Sequence, residues 1–346
     1  MATVIDFAAI TKQAETYQND LRFLPYAMLS EVLAQHGINL KQVAYKDIVT
    51  NAERKGGLIK PYSVGMTIED TDEILKFNER TLEVHKAHLS MEENILSYRS
   101  AAILNNPQAG TGINQNKEHP LKDLIISNVV KTMTEDILDA MFFMERDTTD
   151  KSPFGIADGY FTIMDKDIVA GDISVAKQNL VATGAISAPS TGTDTAAFDK
   201  VVEFVRAGNP FLLKMPSILV MNFATYNNVV DAYSNKIRYF SGDIGKETIE
   251  RAINAKCNSK VTIVVSHYVG TGDRIFQSVP GNMDFGMNTF GDEAFIEVSR
   301  IKKDRNIVNY WAQFDVGARI NNIHAKVFKV NDRTNTASQL SGDYLS

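Results

Sequence analysis

Two rhythms of apolar and polar positions run along this chain. The period of two is clearest near the C-terminal end, where Ala294, Ile296 and Val298 alternate with more polar neighbours across Ala294–Ile301. Lys302-Lys303-Asp304-Arg305 follows as a charged turn. Asn306–Ile320 then reads as a long strand through Ile307, Tyr310, Trp311, Phe314, Val316 and Ile320, tolerating Gly317. Asn321-Asn322 makes a second tight turn before Ile323–Val330 returns. Successive strand side chains face opposite ways, so the pattern predicts three strands in succession, a meander.

The helical period is clearest over His119–Arg146. Ile125, Val129, Met133, Ile137, Met141 and Met144 mark one face, and Leu121, Leu124, Leu138 and Ala140 widen it. Pro120 suits the first turn, and Asp147–Pro153 ends the run. About 25 residues at 1.5 Å each make a rod of roughly 38 Å. The opening stretch is also amphipathic, with Leu21, Leu24, Met28, Leu29 and Val32 at helical spacing, Pro25 as an interruption and Gly37 as a stop.

Extended character lies between these two. Val43, Tyr45, Ile48 and Val49 precede a polar turn, Asn51–Gly57, after which Leu58-Ile59-Lys60-Pro61-Tyr62 returns. This predicts a charged hairpin with little apolar surface of its own. Ile74–Val84 has strand-like alternation too, and Asn105–Lys117 is a loop rich in Asn, Gln, Gly and Pro. Beyond Phe154 the pattern mixes. Tyr160–Met164 reads as a short strand and Thr183–Thr195 as a loop. Thr195–Ala207 reads as a helix with Phe198, Val201, Val202 and Val205 inside, stopped by Gly208. Ser217–Met221, Lys260–Val265 and Arg274–Val279 read as strands and Phe223–Ser234 as a second helix. This is the texture of a compact α/β lobe bounded near Phe154 and Glu293.

Composition narrows the function. Thirty-six Lys and Arg against 42 Asp and Glu leave a net charge of −6, which argues against tight phosphate binding over a broad surface. The single cysteine, Cys257, excludes a disulfide framework within the chain. No apolar run approaches the ~20 residues that span a bilayer, and the start lacks a signal-peptide pattern, so a soluble protein made in a cytoplasm is expected.

Candidate chemistry is sparse. His85 and His88 form H-x-x-H without a carboxylate or cysteine at a metal-ligand offset. Gly270-Thr271-Gly272-Asp273 resembles part of a nucleotide loop but lacks the trailing glycine, and a tight turn between strands explains it better. Cys257 has no patterned histidine, no G-x-S-x-G occurs, and Glu135 and Asp136 point different ways on a helix, so no catalytic residue, cofactor site or metal site is assigned. Lys302–Arg305 is best read as a soluble hairpin tip. The residues singled out as inter-subunit contacts are Glu53, Arg54, Lys55 and Lys60, on a hairpin too poor in core residues to stand alone.

In order of elements this chain resembles the major capsid protein of tailed bacteriophages. The stretches that carry the resemblance are the amphipathic start Met1–Gly37, the extended region Lys41–Lys117, and the long helix Pro120–Glu145 running into Arg146–Ile156. With them go the unit Phe198–Tyr233 with Pro216–Asn222, and the closing strands with Phe314-Asp315-Val316-Gly317-Ala318-Arg319. The resemblance implies an α+β, HK97-like fold with an N-terminal arm (1–40), an extended loop and first part of a peripheral domain (41–118), and a spine helix (119–153). An axial α/β domain (154–292) and the closing strands of the peripheral sheet with a tail (293–346) complete it. Both Tyr45–Tyr62 and Leu75–Val84 qualify as the extended loop. The resemblance further implies hexamers and pentamers closing into an icosahedral virion shell in the bacterial host cytoplasm. The shell would enclose double-stranded DNA without sequence-specific contact, meet a portal and other capsid proteins, and involve neither catalysis nor membrane. The rival readings are an encapsulin-type compartment shell, a soluble α/β enzyme with its site in Thr183–Asp194 or Gly270–Arg274, and a tail or baseplate protein.

Overall fold

The computed structural model describes residues 29–54, 75–94, 131–237, 245–288, 295–302 and 307–337. Two five-stranded sheets carry the fold. The first is organised around β12 (Ile307–Ile320), 14 residues long. One edge of β12 pairs antiparallel with β4 (His85–Asn94), from Ile307↔Asn94 to Val316↔His85. Its other edge takes β11 (Phe295–Lys302) and then β10 (Met283–Asn288). β1 (Ile38–Gln42) lies parallel to β10 and extends the sheet. Every residue of β10 is buried, which fits a strand covered on both faces.

The second sheet has the order β5 (Leu180–Val181), β13 (Phe328–Asn331), β9 (Phe276–Ser278), β6 (Pro216–Met221) and β7 (Lys260–Val265). Its two faces belong to different cores. Leu219, Met221, Val261 and Ile263 join Phe198, Val201, Val205, Val229, Ile249 and Ile253. The latter come from three helices, α4 (Ala196–Arg206), α6 (Phe223–Lys236) and α7 (Lys246–Cys257). Val220, Phe276, Phe328 and Val330 instead join the core of the first sheet with Phe285, Phe314 and Val316. Strand alternation thus lets one sheet serve two cores.

Residues 29–35 form helix α1, with Leu29 and Leu33 fully buried one turn apart. It stops at Gly37, whose φ of +66° suits glycine. Residues 131–140 form α2, burying Met133, Ile137, Leu138 and Ala140. The expected spine helix is longer than this: 119–130 lies outside the described residues, and the helix ends in a turn at 141–143, short of Glu145.

The end of α2 builds the start of α3 (Tyr160–Val169). Gly159 N–H donates to the Met144 carbonyl at 2.7 Å, Phe161 N–H to Phe142 at 2.8 Å, and Tyr160 N–H to Met141 at 3.2 Å. Three first-turn donors that a helix leaves free are met this way. Gly159 is required, because a Cβ there would lie 2.6 Å from the Met141 carbonyl. The expected strand over Tyr160–Met164 is therefore a helix; burial of Tyr160, Phe161 and Met164 follows the turn of a helix, not a period of two. α5 (Pro210–Lys214) and α7 were not anticipated, the latter because Ile249, Ile253 and Cys257 form only a thin apolar stripe.

The expected closing meander is corrected in its third strand. Residues 323–327 form no strand, and β13 pairs with β9 and β5 in the second sheet instead of returning on β12. Polar side chains turn the chain aside. Asn282 Nδ2 donates to the Asn322 carbonyl at 2.8 Å and Asn179 Nδ2 to the Ile323 carbonyl at 2.8 Å. Strand order consequently crosses position 292 in both directions, since β10 pairs into the first sheet and β13 into the second.

Candidate functional site: a two-stranded ribbon with one bare face

β2 (Lys46–Arg54) and β3 (Leu75–Glu83) pair over nine residues, from Lys46↔Glu83 to Arg54↔Leu75. The two segments that each qualified as the extended loop are thus the two strands of one ribbon. The return expected at Leu58–Tyr62 lies outside the described residues. Residues opposite one another in an antiparallel pair share a face. Asp47, Val49 and Asn51 face one way with Leu82, Arg80 and Asn78; Lys46, Ile48, Thr50 and Ala52 face the other with Glu83, Thr81, Glu79 and Phe77.

The inner face is tied to the body rung by rung. At the root, Val43, Leu82 and Val84 form a small core of their own. Gly317 and Gly286 leave room for it: a Cβ on Gly317 would overlap the Glu83 carbonyl, and one on Gly286 would lie 2.9 Å from Val84. Arg319 of β12 then clamps both strands. Its Nη1 donates to the Asp47 carbonyl at 2.8 Å and the Arg80 carbonyl at 3.5 Å. Nη2 meets Asp47 Oδ2 at 2.9 Å and Asp284 Oδ2 at 2.7 Å, and Nε meets Asn321 Oδ1 at 2.7 Å. Lys41 Nζ adds a second cation 2.7 Å from Asp284 Oδ2. Burial pushes the Asp284 carboxyl up, but hydrogen bonds from Lys41, Arg319 and Asn321 outweigh it and hold the carboxyl below its usual range. The next rung carries Arg80, whose Nη1 and Nη2 reach Asp167 Oδ1 and Oδ2 on α3 at 3.3 and 2.7 Å. On the third rung Asn51 donates to the Asn321 carbonyl.

The outer face is bare and partly apolar. Phe77 is 62% exposed, Ile48 52% and Leu75 45%, with Tyr45 at the root 69% exposed. A two-stranded ribbon is marginal by itself, and large apolar side chains left exposed along one of its faces suit a contact surface. The sequence reading missed these four residues because it weighed the charges at 53–60. Their signal was present in the alternation of Leu75 and Phe77 with polar neighbours. Of the charged candidates, Glu53 and Arg54 sit at the end of β2, opposite Lys76 and Leu75 in register; Lys55 and Lys60 lie outside the described residues.

The remaining candidates fall into structural roles. His85 and His88 lie three apart on β4, so they point to opposite faces. Burial, and next the Arg146 guanidinium, hold the His85 imidazole below its ordinary value, and Arg146 Nη1 lies 3.4 Å from His85 Nε2. Thr271 and Gly272 form the two-residue strand β8 opposite β14 (Asn335–Thr336), and Gly272 has φ +136°. Asp273 accepts from the Ile186 N–H at 2.9 Å, so this turn is a structural joint. In the loop 183–195, Asp194 accepts from the Ser190 and Ala196 N–H groups at 3.0 and 2.9 Å, bracing the start of α4. Cys257 is buried, which pushes its thiol up. Among the described residues no group of three or more His, Cys, Asp or Glu could hold a metal ion, and no helix is long and apolar enough to cross a membrane.

A long-strand sheet with a helix across it, a mixed lobe with helices over a second sheet, and a ribbon projecting from the first sheet together define the HK97-like fold of phage capsid proteins. Solved structures match it over nearly the whole chain. One from the satellite phage P4 procapsid including size determination (Sid) protein has a TM-score of 0.53 at 10% identity, covering 96% of this chain and 91% of its own. The capsid of Myoviridae phage XM1 gives 0.54 at 13% identity, with 88% and 92% covered. The capsid of the empty GTA particle gives 0.51 at 13% identity, with 88% and 96% covered. No family model matches the sequence, and no curated protein matches it.

Proposed function

We propose that this chain is the shell subunit of a tailed-phage virion, assembling through its ribbon and arm into hexamers and pentamers of an icosahedral capsid. The observation that carries this reading is the ribbon: its inner face is fixed to the body while its outer face leaves Ile48, Leu75 and Phe77 in water. Such a face gains its cover from another copy. The function resides in these contacts and needs no catalytic group. Support also comes from the overall acidity, since a container wall must not grip DNA that has to move in and out. In this reading residues 1–40 are an arm, 41–118 hold the extended loop, 119–153 the spine helix, 154–292 the axial domain and 293–346 the closing segment. Packaged double-stranded DNA, a portal and other capsid proteins are the partners, and assembly takes place in the host cytoplasm.

Electron microscopy of the purified, overexpressed chain tests this. Closed shells, tubes or capsomer rings are expected; a strictly monomeric, ligand-binding species at high concentration overturns the reading. Glu53 and Arg54, at the far end of β2, and Lys55 and Lys60, outside the described residues, are the charged contacts proposed. Reversing the charges at Arg54 and Lys55 is expected to impair shell formation while the monomer keeps its thermal midpoint.

A further inference from the structure

We propose that Arg80 and Asp167 form a positioning pair that sets the angle at which the ribbon leaves the body, and thereby the geometry with which one copy meets the next. The inference rests on the shell-subunit reading above.

All three inner rungs of the ribbon are tied to the body, and the ties go to different places. Asp47 is held by Arg319, with Lys41 of β1 3.6 Å from its Oδ2, and Asn51 by the Asn321 carbonyl, so these ties lead to the first sheet and the turn beyond β12. Arg80 alone reaches sideways to α3, through Asp167. Anchors toward one sheet leave a ribbon free to tilt against it, and a tie to a helix at the side removes the freedom. The pair suits the task. The two terminal guanidinium nitrogens each donate to a different carboxylate oxygen, an arrangement that fixes direction as well as distance. The two side chains are 18% and 15% exposed, so water competes weakly for either.

The pair is also separable from the fold. The root is held independently by Val43, Leu82, Val84 and the Arg319 clamp, none of which needs Asp167. Asp167 closes a local turn only through its backbone carbonyl, which accepts from Asp172 and Ile173 N–H groups and survives any side-chain change. Beyond Arg80, β3 runs five residues back to Leu75, about 17 Å at strand spacing, so a tilt of ~10° at the pair moves the exposed end by roughly 3 Å. That is enough to misplace an apolar contact centred on Phe77.

The test uses Asp167→Asn, Arg80→Met and the exchanged pair Arg80→Asp with Asp167→Arg in the full chain. Wild-type chain is expected to form closed shells of one diameter. Both single variants are expected to keep the wild-type circular dichroism and a thermal midpoint within a few degrees, yet to give mixed diameters, tubes or open sheets; the exchange is expected to restore one diameter. Single variants with the wild-type size distribution overturn the inference. A second measurement reads the angle in the unassembled chain, from spin labels at Thr50→Cys on the ribbon and Arg251→Cys on α7. The label-to-label distance distribution is expected to be narrow with the pair intact and broader in Asp167→Asn; equal widths overturn the positioning role. Wild-type chain that makes no shells while the distribution still broadens removes the shell-subunit reading and leaves the pair's control of ribbon angle standing.

Discussion

Each sheet holds a buried cation on one of its strands, Arg319 on β12 and Lys329 on β13, and the protein treats them differently. Arg319 in the first sheet faces two carboxylates, Asp47 at the ribbon's root and Asp284 on β10. Lys329 on β13 of the second sheet is fully buried and meets only dipoles. Its Nζ donates to the Phe204 and Val205 carbonyls at 2.6 and 2.9 Å, at the C-terminal end of α4, and lies 4.6 Å from the centre of the Phe204 ring. Among the described residues no carboxylate pairs with it. Burial lowers its ammonium to about 7, with the Cys257 thiol opposing the shift. A helix C-terminus favours a positive charge, but partial charges do not replace a counter-ion. The lesson is that a buried charge is retained by a full opposite charge, whereas a cation held by carbonyls stands ready to give up its proton. The first arrangement suits a mechanical joint that holds while its carboxylates stay ionised; the second makes the lobe sensitive to pH near neutrality.

The largest effect should come from breaking the first arrangement. Arg319→Met leaves Asp284 buried with Lys41 as its one remaining cation among the described residues and strips the root of its clamp. A loss of about 3–5 kcal/mol is expected in urea unfolding, as for other broken buried pairs.

Lys329→Met should do the opposite. Because the folded ammonium titrates near 7 and the unfolded one near 10.5, the unfolded chain holds more protons between those values, so stability rises with pH across that window. Below pH 7 both states are protonated and the burial cost is constant. The variant is expected to lose the rise and to be stabilised by about 1–4 kcal/mol at pH 6. Equal slopes for variant and wild type in a pH series of chemical unfolding would contradict the assignment.

A smaller effect is expected on the acid side. The Asp284 carboxyl is depressed when folded, so its stabilising contribution is present above the unfolded value of 3.8 and is lost as pH falls through the folded one. Asp284→Asn should flatten the acid limb of the stability curve while leaving the alkaline limb set by Lys329. The smallest stability effect, within about 0.5 kcal/mol, is expected for Phe77→Ser on the bare face, because that ring is 62% exposed. The same substitution should weaken assembly clearly, measured as the chain concentration at which shells first appear.

How much was legible beforehand differs by region. Ser217–Met221, Lys260–Val265 and the helices around Phe198 and Tyr226 were readable because each meets its core with a full apolar face. Tyr160–Met164 was misread because five residues with two aromatics satisfy either period, and the deciding bonds come from carbonyls at 141–144. Ile323–Val330 looked like one more strand of a meander, yet amide side chains from Asn179 and Asn282 divert it. At the candidate site, β2 and β3 were each recognisable as extended. Their pairing was not, since 20 residues separate Arg54 from Leu75 and alternation names no partner.

Local chemistry alone therefore specified many of the helical and extended segments, the absence of a disulfide framework and the mixed α/β texture, because turn residues, periodicity and composition act over a few neighbours. Tertiary structure decided the rest: which strand joins which sheet, that Arg319 closes on Asp47 from 272 positions away, and which face of the ribbon is left in water. Those outcomes depend on contacts between residues far apart in the chain. A pattern read a few residues at a time shows which side of a strand is apolar, and only the packed molecule shows what, if anything, lies against it.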